Sequence, residues 1–202
     1  MNSVNYGNQK LQPSKVVCVG RNYVAHIEEL GNEVPSQPVI FLKPNSAISN
    51  QLVLDQKENI HYEAELSFLI INNELAAVGL GLDLTKRDIQ TQLKSKGLPW
   101  ERAKGFDHSA VFSEFVEAPT ELKNLTIELE INGVIVQQGG VSQMLNSPSA
   151  LLDEVVSFMS FENGDILMTG TPSGVGIVNK ADIFIGRVFN GDQLLVSREW
   201  RV

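Results

Sequence analysis

The stretch Glu63-Ala64-Glu65-Leu66-Ser67-Phe68-Leu69-Ile70-Ile71 reads as a β-strand whose side chains alternate between two faces. One face carries Ala64, Leu66, Phe68 and Ile70, and the other carries Glu63, Glu65, Ser67, Leu69 and Ile71. Both faces turn apolar along its length, which predicts a strand covered on both sides. Two carboxylates about 7 Å apart entering such a sheet are costly unless a cation compensates them. The pattern therefore points to a metal site. The alternative is a strand end whose carboxylates reach water or pair with Lys and Arg.

The segment Thr126-Ile127-Glu128-Leu129-Glu130-Ile131 is an internal contrast. Its apolar residues share one face and its glutamates the other, as in a half-solvated strand, so no chemistry is assigned to Glu128 or Glu130. Residues 75–84 are apolar and include Asp83 near their end, where a strand hands over to a helix. With Glu63 and Glu65 this makes three carboxylates and no neighbouring Cys or His ligand. An all-oxygen set suits Mg²⁺ or Mn²⁺ ahead of Ca²⁺. Helix capping is the competing role for Asp83.

A length of 202 residues suits one domain, 1–202, with 1–14 as a short N-terminal extension. A hydrophobic fraction of 43% is ample for a core. The apolar runs are too short to span a bilayer, and the N-terminus has no basic region followed by an apolar one, so neither membrane association nor a signal peptide is expected. The single cysteine, Cys18, sits in the apolar run 16–19 and reads as a buried small hydrophobe of a cytoplasmic protein. A net charge of −8 with no basic stripe argues against nucleic acid as a partner. An anionic small substrate then needs a local cation to draw it in.

Elsewhere, residues 15–19 read as a strand stopped at Gly20, and Asn22 as the N-cap of a short helix over 23–30 closed by Gly31. A strand at 38–44 is bracketed by prolines. Thr85-Lys86-Arg87-Asp88 has the form of a capping box and starts a helix to about residue 96, stopped by Gly97 and Pro99. Asn132-Gly133 turns a hairpin over 126–137. Pro148 after Ser147 starts a helix with Leu151, Leu152, Val155, Val156 and Met159 inward. A strand over 165–168 leads into a glycine-rich turn at 169–176. Strands outnumber helices, so the fold class is α+β, mostly β, with few short helices.

His26 and Glu29 lie at i and i+3 and share a helix face. A carboxylate beside imidazole fixes its tautomer and raises its basicity, as deprotonating a water requires. The same spacing also suits an ordinary exposed pair. Lys104 can supply positive charge to an enolate or carboxylate. The amides of the 169–176 turn and Thr171 are candidates for carboxylate binding, with a plain tight turn as the alternative. His61 is expected to pack or hydrogen-bond beside the carboxylate strand.

Gly20-Arg21-Asn22-Tyr23, His26 with Glu29, Phe41-Leu42-Lys43-Pro44, His61-Tyr62-Glu63-Ala64-Glu65-Leu66, Leu82-Asp83-Leu84-Thr85-Lys86-Arg87-Asp88, Lys96-Gly97-Leu98-Pro99-Trp100, Ala103-Lys104 and Thr169-Gly170-Thr171-Pro172 follow one another in this order. Together, over residues 15 to about 180, they resemble the fumarylacetoacetate hydrolase family. The nearest likeness is to its short single-domain branch of acylpyruvate hydrolases and oxaloacetate decarboxylases.

The resemblance implies a rolled mixed β-sheet around the site, and a homodimer. It implies Mg²⁺ or Mn²⁺ at Glu63, Glu65 and Asp83, with His26 and Glu29 as a water-activating pair on a lid. Lys104, Gln90 and Thr171 would hold substrate or developing charge, with Arg21, Lys43 and Gly170 as further substrate-binding positions. The implied activity is metal-dependent C–C bond cleavage in small anionic 2-oxo acids. It covers acylpyruvate hydrolysis or oxaloacetate decarboxylation through a metal-bound pyruvate enolate. Isomerisation, hydration or decarboxylation of 2-oxo-enoic diacids, and a non-catalytic dicarboxylate-binding module, are the alternatives. Two departures bear on substrate choice: His108 stands where several members have a small polar residue, and 137–144 matches loosely.

Overall fold

The computed structural model describes residues 1–29, 31, 33–54 and 58–202. In chain order its strands and α-helices begin with β1 (Val4–Tyr6), β2 (Gln9–Leu11), β3 (Lys15–Gly20) and α1 (Val24–Glu29). Then come β4 (Val39–Pro44), β5 (Ile48–Ser49), β6 (Ile60–Tyr62), β7 (Ala64–Ile71), β8 (Glu74–Asp83) and β9 (Thr85–Lys86). Helices α2 (Arg87–Ser95) and α3 (Glu101–Lys104) precede β10 (Ala110–Phe112), β11 (Val116–Glu117), β12 (Leu125–Ile131) and β13 (Val134–Gly140). The chain closes with α4 (Pro148–Val156), β14 (Ile166–Met168), β15 (Gly176–Ile177), β16 (Ile183–Asn190) and β17 (Gln193–Arg201).

The largest sheet has eight strands in the order β4-β3-β14-β7-β8-β10-β5, with β11 also paired to β8. It is mixed: β3 runs parallel to β14 and β5 to β10, and the remaining pairs are antiparallel. A four-stranded antiparallel sheet, β13-β12-β16-β17, packs on one side of it. The interlayer contains Leu66, Phe68 and Leu80 from the first sheet and Ile127, Leu129 and Phe184 from the second. Burying each such side chain contributes about 1.5–3 kcal/mol. Further along the same face, α4 covers the sheet with Leu151 and Val155 against Val17, Val19 and Leu167. This is the predicted class: mostly β, a curled mixed sheet, few helices. No helix among the described residues is long and apolar enough to cross a membrane.

Strand β7 is covered on both faces, as its pattern predicts. A bulge at Ala76 on β8 shifts the register opposite Leu69 and Ile70, and Ile70 stays on the Leu66 and Phe68 face, where it joins the cluster under α4. Glu63 lies just before the strand, and its carbonyl accepts the Asp83 N–H at 2.8 Å.

Two terminus signals are used differently from expectation. Thr85 and Lys86 form β9, and α2 starts at Arg87 without a side-chain cap. The Thr85 hydroxyl is instead engaged by Glu63 and Lys104, which offer it charge-assisted bonds. Asn22 is buried, and its side chain bonds Asn146 and Thr169 rather than the helix it precedes. Gly31 does close α1, accepting the left-handed conformation (φ 60°) with its N–H on the Glu28 carbonyl. Leu30, placed in that helix by the sequence, lies outside the described residues. Ser147 caps α4 through the Ala150 N–H, and Leu151, Leu152 and Val155 point inward, but Val156 is 45% exposed.

The first 14 residues do more than extend the chain. β1 and β2 form a hairpin, Val4 enters the core, and the Asn5 carbonyl accepts the Phe115 N–H. Glu128 and Glu130 are half-buried and flank Arg187, which reaches Glu130 at 2.8 Å.

Candidate metal centre and active site

The pairing of β7 with β8 sets Ala64 opposite Leu82, so Glu63 and Glu65 at the start of one strand meet Asp83 at the end of the other. All three carboxylates are buried, and one oxygen from each lies within 4.8 Å of the others. A hydrogen bond from the Gly170 N–H holds Glu65 Oε2 at 2.8 Å. Gly170 adopts φ +94°, and a Cβ there would come within 2.9 Å of Asn22 Cβ, so glycine is required for this approach.

Three cations back the cluster. Lys104 Nζ donates to Glu63 Oε2 (2.8 Å), Asp83 Oδ2 (2.7 Å) and Thr85 Oγ1 (2.6 Å). Arg87 donates to Glu63 Oε1 at 2.5 Å and to Gln90 Oε1 at 2.7 Å. Lys43 is fully buried, donates to the Leu84 carbonyl at 3.1 Å and to the Lys104 carbonyl, and lies 2.8 Å from Asp83 Oδ1.

These neighbours split the carboxylates electrostatically. Burial raises the Glu63 carboxyl, but Lys104 and Arg87 outweigh it and hold the group well below the usual range. Burial also raises Glu65, and there Asp83 and Glu63 add to the rise, against a smaller opposing pull from the Gly170 amide and Lys104. Burial lowers the Lys104 ammonium, yet Asp83 and Glu63 push it above its ordinary value, so it is a permanent cation.

The protein's own cations thus leave Glu65 short of positive charge. Asp83 Oδ1 likewise completes no hydrogen bond, despite its proximity to Lys43. An all-oxygen, undercompensated set of three buried carboxylates fits a hard divalent ion.

Helix α1 covers this centre. His26 is 6% exposed and its Nδ1 lies 3.1 Å from Glu29 Oε2. The other Glu29 oxygen accepts the Gly174 N–H at 3.0 Å. His26, Arg21, Gln90 and Lys104 line one small cavity of about 40 Å³ with Glu63. Phe41, Arg87, Lys94 and Trp100 complete much of the wall. The Phe41 and Trp100 rings touch at 5.6 Å, and these two residues with Lys104 are shared with an adjoining groove of about 510 Å³.

Of the expected substrate-binding positions, Arg21 and Gln90 face the cavity, whereas Lys43, Gly170 and Thr171 stand behind it. Lys43 is spent on Asp83 and two carbonyls. The Thr171 hydroxyl donates to the Ala64 carbonyl and accepts from Gln137 Nε2. The turn amides do bind carboxylates, but Gly170 and Gly174 bind those of Glu65 and Glu29. His61 is half-buried on β6, its Nδ1 unpartnered and its pKa lowered by burial and by Arg87. His108 is exposed and lies outside the cavity wall.

Sequence reasoning did not single out Arg87, Lys94, Phe41, Trp100 or Gln137. Arg87 and Lys94 were detectable from their i, i+3, i+7 spacing with Gln90. Gln137 follows the apolar run 134–136, and its side chain ties the Ala64 N–H to Thr171 and Pro172.

The model of the fumarylacetoacetate (FAA) hydrolase C-terminal family matches residues 15–198. The chain belongs to the fumarylacetoacetate hydrolase family. Among family relatives, it is 37% identical over 187 residues to oxaloacetate tautomerase YcgM of Escherichia coli (strain K12), covering 84% of this chain and 85% of that protein. It is 36% identical over 187 residues to a mitochondrial oxaloacetate decarboxylase of Dictyostelium discoideum, covering 84% and 86%. Its fold is similar to that of fumarylpyruvate hydrolase from Pseudomonas aeruginosa in complex with Mn²⁺ and pyruvate, with a TM-score of 0.87, 30% identity, and coverage of 100% of this chain and 95% of that one. These family members are enzymes of oxo acids, and they include bacterial and mitochondrial proteins.

Proposed function

We propose that this protein is a Mg²⁺- or Mn²⁺-dependent enzyme that cleaves a C–C bond in small 2-oxo acids, by acylpyruvate hydrolysis, oxaloacetate decarboxylation or both. The observation that carries the reading is the convergence of Glu63, Glu65 and Asp83 under the His26–Glu29 pair. Glu63, Glu65 and Asp83 would hold the ion. Once bound, it supplies Lewis-acid stabilisation of the negative charge that develops on a 2-keto oxygen.

The chain's residues do the rest. Glu29 holds the Nδ1 side of His26, which leaves Nε2 to take a proton from water. That water attacks the C4 carbonyl of an acylpyruvate, the C3–C4 bond breaks, and the electron pair stays on C3 as the pyruvate enolate. In oxaloacetate C4 leaves as CO₂ and no water is consumed. Lys104 remains protonated throughout and offsets anionic charge near Glu63 and Asp83. Arg21 and Gln90 contact the bound acid from the cavity wall.

The cavity of about 40 Å³ adjoins the groove of about 510 Å³, and α1 would serve as the lid that excludes bulk water from bound substrate. The expected homodimer belongs to the same reading, and sedimentation tests it.

Tautomerisation of oxaloacetate is a second reading, favoured by the name of the E. coli relative. It moves one proton between C3 and the C2 oxygen and leaves the carbon chain intact. Pyruvate release from acetylpyruvate and oxaloacetate, with Mg²⁺, Mn²⁺ or chelator, tests the first reading. Enol absorbance followed in the same samples detects the second. No metal-dependent change in any of these signals would overturn both.

A further inference from the structure

We propose that the groove beside the carboxylate cavity binds the acyl chain of the substrate, so that the protein prefers acylpyruvates whose acyl group is an uncharged alkyl chain longer than acetyl. This rests on the function proposed above and names its acyl group.

The groove, of about 510 Å³, adjoins the cavity of about 40 Å³ that His26 lines, and Phe41, Trp100 and Lys104 belong to both walls. Lys104 joins the two spaces. Its Nζ donates to Glu63 and Asp83 on one side and lies 5.0 Å from the centroid of the Phe41 ring. A 2-oxo acid seated at the carboxylate cluster, and too long for the cavity, extends past Phe41 and Trp100 into the groove.

Strand β4, at the edge of the main sheet, supplies one wall of the groove, and the loop between α2 and α3 supplies the other. Backbone bonds fix that loop at both ends. The Leu98 N–H donates to the Leu93 carbonyl, and the Lys104 N–H to the Trp100 carbonyl, each at 2.9 Å. The groove is therefore a built surface rather than a gap beside a loose segment.

Its lining selects by polarity. Among the described residues of the wall, Glu101 is the only charged group besides Lys104, and Lys104 is already engaged by Glu63 and Asp83. A tail ending in a carboxylate would meet Glu101 with no cation left to answer it. An alkyl tail meets Val39, Phe41, Leu42, Leu98 and Trp100. Leu42 and Leu98 are 40% and 47% exposed, so such a tail removes from water apolar surface that the fold leaves open.

Leu98→Asp and Leu98→Met, made in the full chain with saturating Mg²⁺, test this. 2-Oxobutanoate and 2-oxooctanoate share the same head and differ only in tail length, so calorimetric titration with each isolates the tail. Burying one methylene is worth about fourfold in affinity. The wild type is expected to bind 2-oxooctanoate at least about tenfold more tightly than 2-oxobutanoate. Leu98→Asp is expected to lower that preference about tenfold, and Leu98→Met to keep it. The ratio of kcat/KM for hexanoylpyruvate over acetylpyruvate falls in parallel in Leu98→Asp, mainly through KM.

A long-tail preference absent from the wild type, or unchanged in Leu98→Asp, would overturn the proposal. So would a smaller assembly of Leu98→Asp in sedimentation, which would make the groove the seat of a second copy of the chain. If the wild type turns over neither acylpyruvate but shows a Leu98-dependent preference for 2-oxooctanoate, the enzymatic reading fails and this one stands. If it turns over both with no Leu98-dependent preference, this one fails and the enzymatic reading stands.

Discussion

Glu29 accepts the backbone N–H of Gly174 at 3.0 Å while its other oxygen holds His26 Nδ1 at 3.1 Å. The orientation of the candidate base is therefore set by a turn 145 residues further along the chain. His26→Ala is expected to lower kcat for acylpyruvate hydrolysis by about 10²-fold or more, the usual contribution of a positioned base. Decarboxylation, which consumes no water, is expected to suffer less. Stopped-time assays on both substrates check this, and equal losses would contradict the division of labour.

Glu65→Ala removes one of three converging carboxylates and the acceptor for the Gly170 amide. Mn²⁺ binding followed by electron paramagnetic resonance is expected to weaken at least about tenfold, with both activities lost at micromolar metal. Wild-type affinity in this variant would take Glu65 out of the ligand set.

Burial, Asp83 and Glu63 raise the Glu65 carboxyl above its ordinary value of 4.5. Without a metal, the folded protein therefore keeps a proton that the unfolded chain has already released. The sign follows: metal-free stability declines as pH rises from 4.5 through the folded value. An ion displaces that proton, so metal affinity climbs with pH and binding releases protons. Calorimetry in buffers of different ionisation enthalpy is expected to show the release. The Mg²⁺-induced gain in Tm is expected to be larger at about pH 8 than at about pH 6. A pH-independent gain with no proton release would contradict this.

Lys43 stands behind Asp83 with its ammonium fully buried. Lys43→Met leaves Asp83 and two carbonyls without that partner, at a cost of about 3 kcal/mol or more. Thermal unfolding is expected to shift down by several degrees, and oxalate affinity in folded protein to change little. A selective loss of oxalate binding with unchanged Tm would return Lys43 to the substrate-contact class.

Gly170→Ala forces a Cβ to within 2.9 Å of Asn22 Cβ at φ +94°. A loss of about 1–3 kcal/mol is expected, together with weaker Mn²⁺ binding as the amide leaves Glu65. A stable variant of normal metal affinity would mean that the turn does not position the carboxylate.

The carboxylate cluster was legible because a strand pattern and a strand end are local signals, and antiparallel pairing of neighbours is the simplest way to join them. His26 with Glu29 was legible from helical spacing, but not their burial. What escaped was the assignment of partners. Thr85 has the residue type of a cap, yet two charged neighbours outcompete the helix for its hydroxyl. Gly170 and Gly174 offer amides suited to any carboxylate, and only the folded chain decides that Glu65 and Glu29 take them. The bulge at Ala76 on β8 leaves no mark in the hydrophobic pattern.

Strand β14 lies between β3 and β7, so the middle of the main sheet joins the first tenth of the chain to its last quarter. During synthesis, the carboxylates of Glu63, Glu65 and Asp83 emerge from the ribosome long before the turn that fixes Glu65 exists. A prematurely terminated product would lack the central plank of its sheet as well as the amide at Gly170. Such a fragment is expected to hold Mn²⁺ more weakly than the full chain does.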